Sequence, residues 1–285
     1  MSQTRKLGER GCFSSLDSGT ALKNCMGHTM SLKYLKPAAD IFIPLICWIY
    51  YIPGYLLFFA PVYLVSYVFS SKREMAWQQL NHLFFKIFFR LLQSVTPGLS
   101  LHVADEVFSI RSAVIVSNHV SYLDPILLIS LYEKQKTIVK NIFFKLPVFG
   151  WILRTSGYIP SIVDANSDTI GRIEALGAYL ASGGNLFIFP EGTRSRNGRL
   201  GRFNRSAFKI AVNCKAPICV LFIQNTDVLY PPGRFRFFTC VPNTIRIELI
   251  GRIETGSTSS SISELADQAR TMMLQRCNPP KKGEK

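Results

Sequence analysis

The sequence predicts an α/β protein: a mostly parallel sheet flanked by helices, preceded by an N-terminal membrane-embedded helical segment or hairpin. Three observations predict this class. From Leu99 onward, short apolar runs alternate with helical stretches, as in βαβ units. Upstream, the uncharged run 41–71 is longer than the roughly 20 apolar residues that cross a bilayer. The chain also carries 33 Lys and Arg against 18 Asp and Glu, and this net charge of +15 favours an anionic partner.

The uncharged run is predicted to attach the chain to a membrane, because its length and apolar content do not suit a soluble surface. Pro53 and Gly54 in the middle of the run suit a bend, and basic residues flank both ends. The positive-inside tendency then favours a hairpin that returns to the cytoplasmic side over a single crossing. A buried core helix is the alternative.

The segment Arg73–Val95 has apolar residues at helical spacing, with Lys86 and Arg90 on the other side. A basic amphipathic helix beside a membrane segment either lies in the bilayer interface or packs on the core of the domain. The pattern does not choose between these alternatives.

The remaining elements follow from period and length. The predicted strands are LSLHV (99–103), SAVIVS (112–117), KTIVK (136–140), NLFIFP (185–190), PICVLFI (217–223) and TIRIELIG (244–251). The predicted helices cover 125–132, 143–155, 168–181, 205–214 and 262–276. Functional groups collect past the carboxyl ends of parallel strands, and two polar stretches, SNHVSYLDP (117–125) and FPEGTRS (189–195), lie in that position.

In the first stretch, His119 precedes Asp124 by five residues. One interpretation is a catalytic pair in which the aspartate holds the imidazole. The other is a strand–turn–helix joint, with Asp124 as the cap of a helix that begins at Pro125. The interpretations are compatible, and we expect Asp124 to do both.

The second stretch is rich in arginine. No acidic residue follows Glu191 until Asp227, while basic residues accumulate beside Gly192, Gly198 and Gly201. A guanidinium group matches the oxygens of a phosphate, so these residues favour a phosphate site. Arg194 lies nearest the strand end and is the stronger candidate; a solvated loop facing anionic lipid fits equally well for Arg196, Arg199 and Arg202.

Together, NHVSYLD and FPEGTRS resemble the N-H-x-x-x-x-D (HX4D) and F-P-E-G-T-R-S signatures of the glycerolipid acyltransferases, in the order and at the distance typical of that family. In particular, the chain resembles the bacterial 1-acylglycerol-3-phosphate (lysophosphatidate) acyltransferases. The likeness runs from about 99 to 250 and is compatible with the membrane segment upstream.

The resemblance implies transfer of a fatty acyl group from acyl-CoA or acyl carrier protein to the free hydroxyl of lysophosphatidate, which gives phosphatidate. It implies His119 as the general base and Asp124 as the residue that orients it, a role that suits histidine chemistry. It also implies that the acceptor is bound by Glu191, Gly192, Thr193 and Arg194, with Arg194 on the phosphate.

The chain departs from the family at one block. Val163 stands where an arginine is expected, which puts the second phosphate contact in doubt. Either Lys140 or Arg154 substitutes for it, or the acceptor is another lyso-lipid. Pro217 matches a further block, which we interpret as structural.

Other site chemistries find little support. The seven cysteines are scattered without a CxxC pair and are interpreted as reduced thiols, and no histidine has a partner at metal-ligand spacing. The reaction requires no metal or other cofactor. The sequence contains no P-loop, dinucleotide fingerprint or G-x-S-x-G elbow.

These observations divide the chain into a mobile polar leader (1–35), a membrane segment with an amphipathic helix (36–97), a catalytic domain (98–278) and a basic tail (279–285). We expect the catalytic domain to face the cytoplasm, at the inner membrane of a bacterium. The alternative from another class is a non-catalytic protein that binds anionic lipid. Nucleic acid is not an expected partner, because the uncharged run points to a bilayer instead.

Overall fold

The structure is a computed structural model that describes residues 31–161, 169–194, 200–231, 237, 241–256 and 260–277. Its centre is a sheet of seven strands in the order β1-β7-β6-β2-β5-β3-β4. The strands are β1 Leu99–Val103, β2 Val114–Ser117, β3 Gln135–Val139, β4 Ile159–Pro160, β5 Asn185–Ile188, β6 Ile218–Gln224 and β7 Asn243–Ile253. Only the β6–β7 pairing is antiparallel among the described strands. The predicted α/β class is confirmed.

Helices cover both faces of this sheet. They are α1 Ser31–Ile49, the π-helical segment Tyr50–Phe59, α2 Ala60–Phe69, α3 Arg73–Val95, α4 Asp105–Ser109, α5 Leu123–Leu131, α6 Asn141–Phe144, α7 Pro147–Thr155, α8 Thr169–Ala181, α9 Ser206–Asn213, α10 Thr226–Leu229 and α11 Ile262–Cys277.

The central strands are buried on both faces, so their side chains feed two cores in alternation. Ile115 and Phe187 point into the core that contains α3, α5 and α7. Val114 and Leu186 point into the opposite core, which contains α8, α9 and α11. Because β2, β3, β5 and β6 run parallel, their carboxyl ends share one edge, and that edge holds both polar stretches.

The N-terminal apolar segment is one continuous helical run, which confirms the predicted helical segment, whereas the hairpin form of that prediction is wrong. In the π-helical middle, the N–H of Ala60 bonds to the carbonyl of Tyr55, five residues back. This wider turn accommodates Pro53, which has no N–H to donate, without reversing the chain. Among the described residues, Ile41–Phe69 is the one helix long and apolar enough to cross a membrane.

One face of this run packs along α3. Ile43, Cys47 and Tyr63 are buried in that contact, whereas the opposite face exposes its apolar side chains. On α3, Trp77 and Leu92 are fully buried. Of the two predicted placements of this helix, in the bilayer interface or on the core of the domain, this face of α3 therefore takes the second.

Several predicted boundaries shift for local reasons. The predicted helix 143–155 is two short helices, because Pro147 holds Leu146 in an extended conformation. The helix expected to begin at Pro125 begins at Leu123; a proline is tolerated there because the first N–H groups of a helix lack intrahelical partners. Strand β4 and the short helices α4 and α10 were not predicted. Cys277 is disulfide-bonded, which corrects the prediction of a reduced thiol at that position.

Candidate active site

The loop after β2 is fixed to the neighbouring strand β6 by one buried side chain. The amide of Asn118 donates to the carbonyl of Ile223 at 2.7 Å and accepts from its N–H at 2.8 Å. The side-chain amide thus bonds to both backbone groups of Ile223, as the backbone of a paired strand residue would. The residue after it, His119, therefore leaves the sheet at a defined position.

His119 and Asp124 meet in this loop. The Nδ1 atom of His119 lies 2.9 Å from Oδ2 of Asp124, whose side chain is completely buried. The same Oδ2 accepts the backbone N–H groups of Val120 and Ser121 at 2.7 and 2.8 Å. The loop thus wraps around the carboxylate, and the pairing leaves Nε2 of the imidazole for a substrate.

The second oxygen of Asp124 accepts a hydrogen bond from a residue that follows the neighbouring strand β6. The hydroxyl of Thr226, at the start of α10, donates to Oδ1 at 2.5 Å. The predicted capping role of Asp124 is wrong, because its backbone donors lie upstream of α5 and Tyr122 is the residue at the N-cap. Its carboxylate serves the histidine loop instead.

The second polar stretch forms a tight turn beside the first. Gly192 donates its N–H to the carbonyl of Phe189 at 3.0 Å and has a φ of +66°, which favours glycine. Phe189 stacks on the imidazole of His119 with ring centroids 4.3 Å apart. The carboxylate of Glu191 accepts the backbone N–H of Gly201 at 2.9 Å and that of His119 at 3.4 Å. The two stretches are therefore connected side by side.

Arg194 is held by a residue of the histidine loop. Its guanidinium lies over the ring of Tyr122, 3.6 Å from the centroid, and its Nη2 atom is 2.9 Å from the Tyr122 hydroxyl. Its Nη1 atom is buried and has no hydrogen-bond partner in the part of the chain that the structure describes. A buried donor without an acceptor is costly, and an anionic ligand would satisfy it.

The remaining predicted residues divide into three groups. Thr193 is exposed. Arg154 donates to the carbonyl of Phe144, which ties α7 to α6, and Lys140 is exposed. Val163, Arg196 and Arg199 lie outside the described residues. No group of three or more possible metal ligands occurs within the described ranges.

Sequence reasoning missed three residues of this site. Tyr122 and Asn118 stand inside the first motif, but only their contacts reveal that they position Arg194 and the loop. Thr226 follows the carboxyl end of β6, next to β2 in the sheet. The rule that functional groups collect at such ends was the signal that could have found it.

The chain matches a family model described as Acyltransferase over residues 100–224. It is 39% identical over 123 residues to a chloroplastic 1-acyl-sn-glycerol-3-phosphate acyltransferase of Brassica napus, covering 42% of this chain and 35% of that protein. A human 1-acyl-sn-glycerol-3-phosphate acyltransferase, the beta form, is 30% identical over 192 residues, covering 66% of each chain. The chain spans about a third of the length of the first of these relatives.

A solved structure shares the fold. The crystal structure of the 1-acyl-sn-glycerophosphate acyltransferase from Thermotoga maritima superimposes with a TM-score of 0.67 at 21% identity, covering 88% of this chain and 99% of that one. At this identity the likeness concerns the fold, and it extends beyond the region matched by the family model.

Proposed function

Because the chain belongs to the acyltransferase family, we propose that it transfers a fatty acyl group from an acyl thioester to the free hydroxyl of lysophosphatidate, which gives phosphatidate. The observation that carries this proposal is the contact between Tyr122 and Arg194. It brings a guanidinium with an unsatisfied nitrogen to the same loop that holds a histidine–aspartate pair. A base and an anion-binding group side by side suit an acceptor that carries both a hydroxyl and a phosphate.

The reaction requires one proton to move twice. Nε2 of His119 removes the proton of the acceptor hydroxyl, whose oxygen attacks the thioester carbonyl. Asp124 stabilises the resulting imidazolium through Nδ1, as the aspartate does in a catalytic triad. When the tetrahedral intermediate collapses, the C–S bond breaks and the imidazolium returns the proton to the sulfur. The products are an ester and a free thiol, with no acyl-enzyme.

Arg194 binds the phosphate of the acceptor in this proposal. The stack on Tyr122 fixes the plane of the guanidinium. The Nη1 atom is therefore already oriented toward the phosphate, and little side-chain entropy is lost on binding. Glu191, Gly192 and Thr193 shape the turn that places Arg194. Gly192 contributes through its positive φ and Glu191 through its backbone contacts.

The acyl donor is acyl-CoA or acyl carrier protein, and both suit the basic charge of the chain because both are anionic. The helix Ile41–Phe69 attaches the protein to the membrane in which the acceptor lies. This helix packs along α3 on one face, so the arrangement favours an anchor that lies against the domain. Placement at the inner membrane of a bacterium stays a prediction, since relatives come from chloroplasts, animals, yeast and bacteria.

The division of the chain also stays a prediction, with 98–278 as the catalytic domain and 36–97 as the membrane-attached part. Residues 1–30 and 278–285, which contain most of the predicted leader and the basic tail, lie outside the described residues.

The test measures product and acceptor preference together. Purified protein in detergent receives an acyl thioester with lysophosphatidate, or with a lysophospholipid whose phosphate bears a head group, and the lipid product is identified by mass spectrometry. We expect phosphatidate as the main product. If the main product came from another lyso-lipid, that lipid would replace lysophosphatidate as the proposed acceptor. If no acceptor gave a product, the alternative of a non-catalytic protein that binds anionic lipid would be favoured.

The same assay tests the role of Arg194. We expect Arg194→Ala to raise the KM for lysophosphatidate about 10- to 100-fold, the range of one lost charge-assisted hydrogen bond, while the KM for the acyl donor changes little. Arg202→Ala, an exposed arginine of the same basic stretch, is the matched control. Equal effects of Arg194→Ala on both KM values would contradict the assigned role.

A further inference from the structure

An apolar patch lies on the surface of the two short helices that follow β3. Its members are the side chains between positions 142 and 149 that are large, apolar and 40–65% exposed: Ile142, Phe143, Leu146, Val148 and Phe149. Exposed apolar residues are common one at a time, but a contiguous group of this size marks an interaction surface. The acyl-transfer chemistry does not use it.

The patch stands on a rigid base. Gly150 packs so closely on the carbonyl of Phe144 that a Cβ atom would lie 2.2 Å from the oxygen. Leu153 enters the core, and Arg154 closes the two helices by donating to the same carbonyl. The apolar side chains therefore point outward because the other face of the helix pair is already packed.

Two exposed lysines flank the patch. Between Glu133 and Asp164 the sequence has no acidic residue, and it has five basic ones: Lys134, Lys136, Lys140, Lys145 and Arg154. Of these, Lys140 and Lys145 flank the patch and are exposed. Apolar side chains with lysines at the rim match the boundary between acyl chains and anionic head groups.

The patch is continuous with the bare face of the apolar helix. The ring of Trp151, on α7, packs against the rings of Tyr67 and Trp77, with centroids 5.1 Å and 4.6 Å apart, respectively. Tyr67 lies at the end of the helical run where Val68 and Phe69 are 57% and 81% exposed. The two apolar surfaces therefore meet at Trp151.

We propose that the apolar patch is a second membrane-docking surface, which enters the head-group region of an anionic bilayer beside the apolar helix. The proposal rests on the proposed function in one respect, the membrane attachment of that helix. Strand β3, which leads into the patch, ends at the same sheet edge as β2, which leads into His119. Docking at this edge would hold the histidine loop near the membrane surface, where a lyso-lipid exposes its hydroxyl.

A fluorescence experiment tests insertion directly. The full chain carries Trp48→Phe, to remove an exposed native tryptophan, and then either Phe149→Trp in the patch or Ile170→Trp as control. The signal of the Trp48→Phe parent, which retains Trp77 and Trp151, is subtracted from both. Ile170 is 72% exposed and lies on α8, which packs into the core on the opposite face of the sheet. Each protein is bound to phosphatidylcholine–phosphatidylglycerol vesicles with brominated acyl chains.

We expect brominated lipid to quench the emission added at 149 about twofold or more and to leave that at 170 unchanged, because quenching requires burial at the acyl boundary. Absence of quenching at both positions would overturn the proposal, including the case in which a second copy of the chain covers the patch. Quenching at both positions would also overturn it, because insertion would not be specific to the patch.

An activity measurement separates this proposal from the proposed function. The double variant Ile142→Asp, Val148→Asp should lose about tenfold of the rate on a lysolipid in vesicles, through lost apolar burial, yet keep its rate on a short-chain acceptor in solution. Ile170→Asp should keep both rates. An active enzyme without quenching at 149 would refute the patch alone, whereas quenching in a protein without transferase activity would refute the proposed function alone.

Discussion

Two acidic residues, Asp124 and Asp227, follow neighbouring parallel strands at the same edge of the sheet, and their surroundings differ. Asp124 is fully buried and receives hydrogen bonds from His119, two backbone N–H groups and Thr226. Burial raises the pKa of Asp227, backbone N–H groups of Asp227 and Val228 oppose this, and the charge of Asp124 raises it further.

The difference shows that burial at a sheet edge does not by itself create a useful carboxylate. Burial penalises charge in both residues, and directed donors offset that penalty. Around Asp124 the loop 119–124 supplies these donors together with an imidazole. Around Asp227 the donors are backbone N–H groups of the short helix α10, Asp227 and Val228. We therefore expect the first carboxylate to serve the reaction and the second to cost stability.

Among the residues of this comparison, the largest effect is expected from Asp124→Asn. An amide cannot stabilise an imidazolium and presents the wrong tautomer to His119, so kcat should fall by about 10³-fold or more. The measurement is thiol release under saturating substrates, with circular dichroism to confirm that the variant is folded. A folded variant with activity near that of the wild type would remove Asp124 from the mechanism.

A smaller effect is expected at Thr226, which links the two regions. Thr226→Val keeps the shape but leaves Oδ1 of Asp124 without its hydroxyl donor, a loss that typically costs about 1–3 kcal/mol. We expect kcat to fall about tenfold. Thr226→Ser retains the hydroxyl and should recover most of this rate. A serine variant as slow as the valine variant would indicate that packing of the methyl group, not the hydrogen bond, is what matters.

The smallest effect is expected from Asp227→Asn, and it should appear in stability. A carboxyl whose folded pKa is raised loses stability as the pH rises through its unfolded and then its folded pKa. The asparagine variant should therefore be more stable than the wild type at neutral pH, by less than the about 1 kcal/mol typical of a point mutation. The gain should disappear in acid. Melting curves at pH 7 and below pH 4 test this, and a gain that persists in acid would contradict the electrostatic cause.

The sequence predicted the elements whose signal is local. The alternation of apolar runs with helical stretches predicted the central strands. The two motifs identified His119, Asp124 and Arg194 as candidates, and the structure brings these residues together at one edge of the sheet. The sequence did not predict the features that depend on tertiary contacts. Strand β4 has only two residues, too few for a sequence pattern. Pro53 lies inside a π-helical turn, where a bend was predicted. The apolar residues of Arg73–Val95 did not show whether the helix lies in the bilayer interface or packs on the core of the domain.

The side-chain contacts within the site could not be predicted from the sequence either. The hydrogen bond from Thr226 to Asp124 joins residues 102 positions apart, and that from Arg194 to Tyr122 joins residues 72 apart. Such pairs follow from strand order, which the run of apolar segments does not specify. The strand-end rule narrows the search to one edge, but it does not choose among the polar residues there.

The central claim is that His119 is the base for acyl transfer, and removal of its imidazole tests it most directly. Thiol release from an acyl thioester is followed in detergent with lysophosphatidate for the wild type, His119→Ala and His102→Ala, where His102 lies on the edge strand β1. We expect a loss of at least ~100-fold for His119→Ala and a rate within about threefold of the wild type for His102→Ala. Equal thiol release by the wild type and His119→Ala would contradict the central claim.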